Sequence, residues 1–363
     1  MLSPQESQLP ATQPATQPAT PAAMAPATPP STEPATPAAM APAHRLTSQE
    51  SQQPATAPAQ QPATLPADCP FDVAAMMRRL AQASPAAADF FIPQGHCRIP
   101  STNTLVKAAI KQGAPEGLTA IALTQEGGYG RQGRPWSSPL GGLYLSILLR
   151  PAAHGAVPGQ LASFALCAAL AVRRALADLG FVHDILVKWP NDVLCAQGKL
   201  AGISAEAVGG ALCLGLGINL FPPSEEHLVG GKYRAAYAAP HLPMEASGDF
   251  SETQAAYRED TTIRLLSEVH SVYNQWLGTG FSSLRDEYRG CAFLTGRHVH
   301  IESLTEDILY EGVVRDVDIE GCLCLVDAAG KLVRVHSGEV HLKEQDTGIS
   351  GKGSTQACQQ QQI

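Results

Sequence analysis

A glycine-rich loop with two arginines is the part of this sequence with the clearest chemical potential. Residues 125–136 read QEGGYGRQGRPW and follow a short apolar stretch that is typical of a buried strand. Glycines let a backbone approach a ligand closely, and guanidinium groups pair with phosphate oxygens. The spacing matches neither the dinucleotide-binding fingerprint nor a Walker A loop. The loop therefore indicates a flexible cover for an anionic ligand, although on these residues alone an ordinary surface loop is the alternative.

Two lysines at the ends of predicted strands strengthen that interpretation. Lys188 ends an apolar stretch and is followed by Trp, Pro, Asn191 and Asp192, while Lys199 begins the next stretch. Either lysine alone is typical of a solvated strand end. Together with the arginine loop they suit phosphoryl chemistry on ATP, because cations neutralise phosphate charge and a carboxylate can hold Mg²⁺ or orient a lysine.

The elements that would position these groups alternate between strands and helices. Ser101, Thr102 and Asn103 precede an apolar-periodic run, which predicts a helix N-terminus and, as one alternative, nothing more than a helix cap. After Gly290 the pattern changes to short strands separated by turns, which predicts a small β-barrel. Strands are predicted over 119–125, 143–149, 185–188, 200–208 and 211–220, the last two as a hairpin, and helices over 71–83, 160–179 and 262–277.

The chain of 363 residues divides into unlike parts. Residues 1–66 hold 15 of the 29 prolines and consist largely of Pro, Ala, Thr and Gln, which predicts a disordered tether. We expect a catalytic domain over 67–290, a C-terminal barrel over 291–345 and a disordered tail over 346–363. Within the catalytic domain, residues 222–258 are predicted to form an insertion loop.

The charge balance and the cysteines exclude several classes of protein. The formal net charge is −8, which argues against a nucleic-acid partner, and the longest apolar run is too short to suggest a membrane span. No secretory signal pattern opens the chain. The nine cysteines form no Cys-x-x-Cys pair, so we expect neither a disulfide framework nor a zinc site and favour a reducing, cytoplasmic location.

From Ser101 to Lys343 the sequence resembles the biotin protein ligases, in the form that lacks an N-terminal DNA-binding domain. The resemblance implies an α+β fold, with a mixed sheet like that of class II aminoacyl-tRNA synthetases followed by an SH3-like barrel. It implies that biotin and Mg-ATP form biotinyl-5′-AMP, from which biotin passes to a lysine of a biotin carboxyl carrier domain of acetyl-CoA carboxylase; it also allows a homodimer. The motifs that carry it are Ser101-Thr-Asn103, the loop 125–136, Lys188-Trp-Pro-Asn-Asp192, Lys199-Leu-Ala-Gly-Ile203, Gly217-Ile-Asn219 and, in the barrel, Gly312, Arg315 and Gly338-Glu-Val340.

The same resemblance assigns roles to individual residues. It implies that Lys199, Arg131 and Lys188 are catalytic and that Asp192 is a candidate Mg²⁺ ligand. The implied biotin-binding residues are Ser101, Thr102, Asn103, Gln125, Tyr129, Gly130, Arg131 and Lys199. The implied ATP-binding residues are Arg131, Arg134, Trp136, Lys188, Asn191, Asp192, Asn219 and Arg315.

One position departs from the family pattern and keeps alternatives open. The family loop usually begins Gly-Arg-Gly-Arg, whereas this chain has Tyr129 in place of the first arginine. A biotin-binding module without catalysis is therefore one alternative. A lipoate ligase, which shares the fold and the adenylation chemistry, and a ligase that also represses transcription are the others. The two lysine motifs favour biotin ligation, and residues 67–100 are too short and insufficiently basic for a winged helix.

Overall fold

The computed structural model describes residues 72–181, 183–223, 234–242, 250–303, 305 and 307–343. The chain separates into units Met1–Ala59 and Gln60–Ile363, and all the described residues lie in the second. The predicted tether, the predicted tail and two parts of the predicted insertion loop (224–233 and 243–249) lie outside the described residues.

A seven-stranded mixed sheet forms the centre of the described unit, with strands in the spatial order β1-β2-β3-β7-β6-β5-β4. β1 and β2 are parallel, and the other neighbouring strands are antiparallel. β3, β6 and β7 are apolar over most of their length because helices or the barrel cover them. The strands are β1 (Ile92–Ile99), β2 (Leu118–Gln125), β3 (Gly142–Leu149), β4 (Leu186–Lys188), β5 (Asp192–Cys195), β6 (Gly198–Val208) and β7 (Ala211–Asn219).

Helices cover both faces of this sheet. α3 (Thr102–Lys111) packs Val106 and Ile110 against a small apolar cluster, whereas α4 (Phe164–Asp178) and α5 (Glu252–Thr279) contribute to the main core. Segment Pro158–Asp178 is long and apolar enough to cross a membrane, but 67% of it is buried inside the protein, which is the position of a core helix. The remaining helices are α1 (Val73–Ala83), α2 (Pro85–Phe90) and α6 (Arg285–Gly290).

The C-terminal strands form a separate five-stranded antiparallel sheet in the order β11-β10-β9-β8-β12. Its apolar interior includes Val314, Leu325 and Val340, each about fully buried. This sheet is the small β-domain that the alternating pattern predicted. Its strands are β8 (His298–Glu302), β9 (Ile308–Val317), β10 (Leu323–Val326), β11 (Leu332–Val335) and β12 (Glu339–Leu342).

Direct contacts hold the barrel against the β4–β5 hairpin. The indole N–H of Trp189 donates a hydrogen bond of 3.0 Å to the carbonyl of Gly321, which lies in the turn before β10. That turn fits closely, because a Cβ added at Gly321 would lie 2.8 Å from Cβ of Ser163. Trp189 is 2% exposed, and through this hydrogen bond it holds the barrel beside Lys188.

Three local features differ from the sequence-based expectations. α5 begins at Glu252, not at Thr262, because Ser251 and Gln254 cap its first turn reciprocally. β1 was not predicted, since its sequence IPQGHCRI has no apolar alternation. Cys97 is disulfide-bonded, which departs from the expectation of reduced cysteines, while the other six cysteines of the described ranges are free thiols.

Candidate active site

Arg131, Lys188 and Lys199 line one cavity of about 310 Å³. The cavity lies between the loop 129–136, the β4–β5 hairpin, the adjoining stretches of β6 and β7, and β12 of the barrel. The structure therefore brings together the cations that the sequence singled out, although Arg131 and Lys199 are 68 residues apart in the chain.

A network of neutral polar groups forms one end of this cavity. Gln125 Oε1 accepts hydrogen bonds from the backbone N–H of Thr102 at 2.8 Å and from its hydroxyl at 3.1 Å. The hydroxyl of Ser146 donates to Asn103 Oδ1 at 2.6 Å, and Asn103 Nδ2 donates to Ser204 at 3.0 Å. Because these groups are buried or, for Gln125, half-buried, and hold one another in place, they present donors and acceptors in set positions to a polar, uncharged ligand.

Sequence reasoning found three residues of this network and missed two. Ser146 is a single serine in the apolar strand β3, a signal that could have been noticed, whereas Ser204 lies in β6 together with Lys199 and Glu206, where no pattern marks it. Ser101, predicted beside Thr102, caps α3 by accepting from Thr104 N at 3.4 Å, and it is not among the residues that line the cavity.

Tyr129, which replaces the expected arginine, lies beside another cation. Nζ of Lys107 is 4.8 Å from the centre of the Tyr129 ring and 2.8 Å from Glu206 Oε2. Burial opposes protonation of Lys107, but hydrogen bonds to Glu206 and Tyr129 outweigh it and raise the pKa of the lysine. A positive charge is thus present next to this position of the loop, although the sequence showed no reason to select Lys107.

The loop itself is a short hairpin that is closed by backbone hydrogen bonds and held by contacts of its two arginines. Trp136 N donates to Gly128 O at 2.8 Å, and Gly130 N donates to Arg134 O at 2.9 Å. Arg134 forms an ion pair with Glu339 of the barrel, and Arg131 donates to Asn191 Oδ1 at 3.4 Å. The loop in this arrangement spans the cavity between the main sheet and the barrel.

The side chain of Trp136 packs directly against the backbone of Gly202 and Gly217. A Cβ added at Gly217 would come within 2.7 Å of the Trp136 indole nitrogen, and one at Gly202 within 2.9 Å of the ring. Nζ of Lys199 lies 5.1 Å from the ring centre. Only residues without a side chain leave room for the ring here, which explains the glycines in the Lys199-Leu-Ala-Gly-Ile and Gly-Ile-Asn motifs.

The opposite end of the cavity concentrates charge. Nζ of Lys199 lies 2.7 Å from Oδ1 of Asp192, and Lys188 stands opposite Asp192 in the β4–β5 pairing. Burial opposes ionisation of Asp192, but Lys199 and Lys188 outweigh it and hold the pKa of that carboxyl below its usual range. Burial lowers the pKa of Lys188, which is 5% exposed. The positive charges of the lysines at this end outnumber the negative charge of Asp192, so this end favours an anionic group.

Asp192 fits the role of counter-ion better than that of a Mg²⁺ ligand. Its carboxylate already accepts from Lys199, and the nearby charges of Lys188 and Arg131 oppose a divalent cation. The structure thus supports the second of the two roles that a carboxylate could have here, which is to orient a lysine.

Two other predicted residues lie outside the cavity lining. Nδ2 of Asn219 donates to the carbonyl of Lys199 at 2.9 Å, so this side chain holds the backbone of the lysine strand. Arg315 is exposed on β9 and is not among the lining residues. The barrel contributes Glu339, Val340 and His341 to the cavity in its place.

Replacing Asp192 with asparagine should lower the free energy of unfolding at pH 7 by about 3–5 kcal/mol, because the buried lysines lose their counter-ion. The lowered pKa of Asp192 means that its contribution is present above the unfolded-state pKa and is lost as the pH falls through the folded-state value. The difference between wild type and Asp192→Asn in denaturant titrations should therefore shrink below about pH 4. Asp178→Asn, which breaks an exposed pair with Arg264, serves as control and should cost less than about 1 kcal/mol. An equally small effect at Asp192 would contradict this account.

Comparison with known proteins gives the family. The model of the biotin/lipoate A/B protein ligase family matches residues 95–220, and that of the biotin protein ligase C-terminal domain matches residues 294–343. A biotin–[acetyl-CoA-carboxylase] ligase of Mycobacterium tuberculosis is 34% identical over 251 residues, which cover 67% of this chain and 86% of that protein. The chain belongs to the biotin protein ligase family.

Another relative and a solved structure agree with this membership. A biotin–[acetyl-CoA-carboxylase] ligase of Paracoccus denitrificans is 31% identical over 220 residues, covering 59% of this chain and 85% of the relative. The Aquifex aeolicus biotin protein ligase, solved in complex with biotin and ATP, superposes with a TM-score of 0.57 at 24% identity and covers 69% of this chain and 98% of its own. The predicted fold, a class II synthetase-like mixed sheet followed by an SH3-like barrel, is confirmed.

Proposed function

We propose that this biotin protein ligase forms biotinyl-5′-AMP from biotin and ATP and transfers the biotinyl group to a lysine of a biotin carboxyl carrier domain. The observation that carries the proposal is that one cavity combines a neutral polar end with a cationic end. Biotin has a ureido ring and a carboxylate, and ATP brings phosphates, so the two ends match the two substrates.

The neutral end suits the ureido ring. The side chains of Thr102, Asn103 and Gln125, with Ser204, supply both donors and acceptors. An unpaired buried N–H or C=O would cost about 1–3 kcal/mol, so these groups favour a ureido ligand over an apolar one of the same size. Lipoate ends in an apolar dithiolane ring, and this polar network therefore favours biotin over lipoate.

The cationic end suits the adenylation step. The biotin carboxylate oxygen attacks the α-phosphorus of ATP, the bond to the bridging oxygen breaks, and pyrophosphate leaves with its electron pair. Lys199 and Lys188 neutralise the charge that grows on the transferring phosphate, and Arg131 holds it from the loop. Asp192 keeps Lys199 in place by the 2.7 Å ion pair. Mg²⁺ enters as part of the nucleotide substrate.

The loop and Trp136 complete the proposed site. The indole ring offers a flat surface for a nucleotide base, and the hairpin 129–136 covers the mixed anhydride. Covering the anhydride excludes water, which would otherwise hydrolyse it. The amine of the acceptor lysine then attacks the anhydride carbonyl, and AMP leaves.

The acceptor follows from the same assignment, whereas the location is the expectation drawn from the cysteines, from which the disulfide-bonded Cys97 departs. We propose the carrier domain of acetyl-CoA carboxylase as acceptor and the cytoplasm as location. That the chain has no nucleic-acid or membrane partner, and that it forms a homodimer, remain predictions.

Mixing the purified chain with biotin, Mg-ATP and a biotin carboxyl carrier domain should add one biotinyl group to the carrier, detected by intact mass. A carrier whose acceptor lysine is replaced by arginine is the control and should gain no mass, and lipoate in place of biotin should give no product. A carrier that stays unmodified at every biotin concentration would contradict the proposal.

A further inference from the structure

Three side chains of the barrel converge on the face next to the cavity. His300 of β8 and His341 of β12 are directly opposed in the antiparallel pairing, and Glu302 lies two residues beyond His300 on the same face. Oε1 of Glu302 is 2.9 Å from Nε2 of His300, and Oε2 is 2.8 Å from Nε2 of His341. The two imidazole rings stack with their centres 5.1 Å apart.

We propose that His300, Glu302 and His341 form a binding site for a divalent transition-metal ion of the Zn²⁺ class. Two imidazoles and one carboxylate are the ligand set that such ions prefer, and three protein ligands leave a coordination position open. One ligand atom from each residue can be chosen so that all lie within 4.8 Å of one another. His341 also lines the cavity, but none of the three ligands has a role in the proposed adenylation step, so this proposal does not depend on the proposed function.

The three ligand atoms lie within 4.8 Å of one another, so binding an ion requires side-chain shifts of up to about 1.5 Å. Metal–nitrogen and metal–oxygen bonds of about 2.0–2.1 Å place tetrahedral ligand atoms about 3.3 Å apart. Each glutamate oxygen lies at hydrogen-bonding distance from one imidazole, so each of these two pairs needs to separate by about half an ångström. Both strands are held by the register His341↔His300 and Val340↔Ile301, which fixes the ligand backbones before an ion arrives.

A second group on the barrel lacks these properties. Asp318, Glu320 and Cys322 are close enough to share an ion, but Arg334 lies 2.6 Å from a carboxylate oxygen of each acidic residue. That guanidinium occupies the place where a cation would bind. In the histidine group, His300 and His341 instead supply two imidazole nitrogens, which are donors that ions of this class prefer.

The position of the site links it to the cavity. His341 lines the cavity together with Glu339, two residues earlier on β12, and Glu339 pairs with Arg134 of the loop. An ion bound to His341 would therefore sit on the strand that anchors the loop.

The test uses the full chain, freed of any affinity tag and treated with a chelator. Titration with Co²⁺, followed by visible absorption, and with Zn²⁺, followed by calorimetry, should show one bound ion per chain. His300→Ala, Glu302→Gln and His341→Ala should each weaken binding by at least about tenfold. His154→Ala is the matched control, because His154 also pairs with a glutamate, Glu116, at 2.7 Å but has no second histidine paired there among the residues that the structure describes; it should bind as wild type does.

X-ray absorption on the Zn²⁺-loaded wild type keeps the test independent of how well the variants fold. It should show two imidazole ligands with the rest of the shell made of oxygen. Sulfur in the first shell, binding that survives in all three variants, or no binding up to about millimolar Zn²⁺ would each overturn the proposal. In the last case the cluster is only a hydrogen-bonded His–Glu–His group.

Discussion

The Lys199→Ala variant should form biotinyl-AMP about 10²–10³-fold more slowly than wild type, because it loses the ammonium group that lies at the cationic end of the cavity. The side chain is 15% exposed, so bulk water cannot replace its charge fully. The loss should appear in kcat, since the interaction strengthens as charge develops on the phosphate, with a smaller change in the KM for biotin. Single-turnover formation of the adenylate, without carrier, is the measurement.

Two further variants serve as controls. One tests whether a positive charge at position 199 is sufficient, and the other tests whether losing any lysine slows the reaction. Lys199→Arg keeps the positive charge but changes its shape and reach, and we expect it to recover only part of the rate. Lys111→Ala removes an exposed lysine at the end of α3 and should leave the rate unchanged. Circular dichroism should show that all three variants are folded. Near-normal adenylation by folded Lys199→Ala would mean that the chemistry occurs elsewhere.

The Gly215→Ala variant should bind biotin about 10–100-fold more weakly, because the new methyl group displaces the side chains that we assign to the ureido ring. A Cβ at this position would lie 2.3 Å from Asn103 Oδ1 and 2.5 Å from Ser204 Oγ. Both groups must move, and their mutual hydrogen bond and that from Ser146 would be disturbed. Calorimetric titration of biotin into each protein gives the affinity directly.

Glycine at a site without neighbours provides the comparison for this effect. A Cβ at Gly278 in α5 meets nothing within 4 Å, so Gly278→Ala should bind biotin as wild type does. ATP affinity should change little in Gly215→Ala, because the nucleotide phosphates are assigned to the other end of the cavity. Unchanged biotin affinity in Gly215→Ala would place the biotin pocket away from Asn103.

Residue types and local spacing were enough to predict the charged half of the site. Lys188 and Asp192 belong to the short strands β4 and β5, Lys199 begins β6 after a tight turn, and the β4–β5 and β5–β6 pairings bring the three together over few residues. Likewise Gly209-Gly210 marked the β6–β7 hairpin correctly. Interactions between neighbouring strands along the chain can be read from such patterns, because the turn determines the register.

The polar half could be predicted only in part, because it depends on the order of strands in the sheet. Ser146 and Ser204 both reach Asn103 because β3 and β6 pair with opposite sides of β7, and no local pattern indicates the β3–β7 pairing. The contributions of Glu339 and His341 depend on how the barrel docks, which rests on contacts such as that of Trp189 with Gly321. Asn219 and Arg315 were selected by resemblance alone, and the structure gives them positions outside the cavity lining.

The central claim, that this cavity activates the carboxylate of biotin on ATP, is tested most directly by exchange of labelled pyrophosphate into ATP. The reversible first step predicts that the chain alone, without carrier, catalyses this exchange when biotin is present and that the exchange stops when biotin is left out. An exchange rate that is the same with and without biotin, or no exchange at saturating biotin and Mg-ATP, would contradict the account.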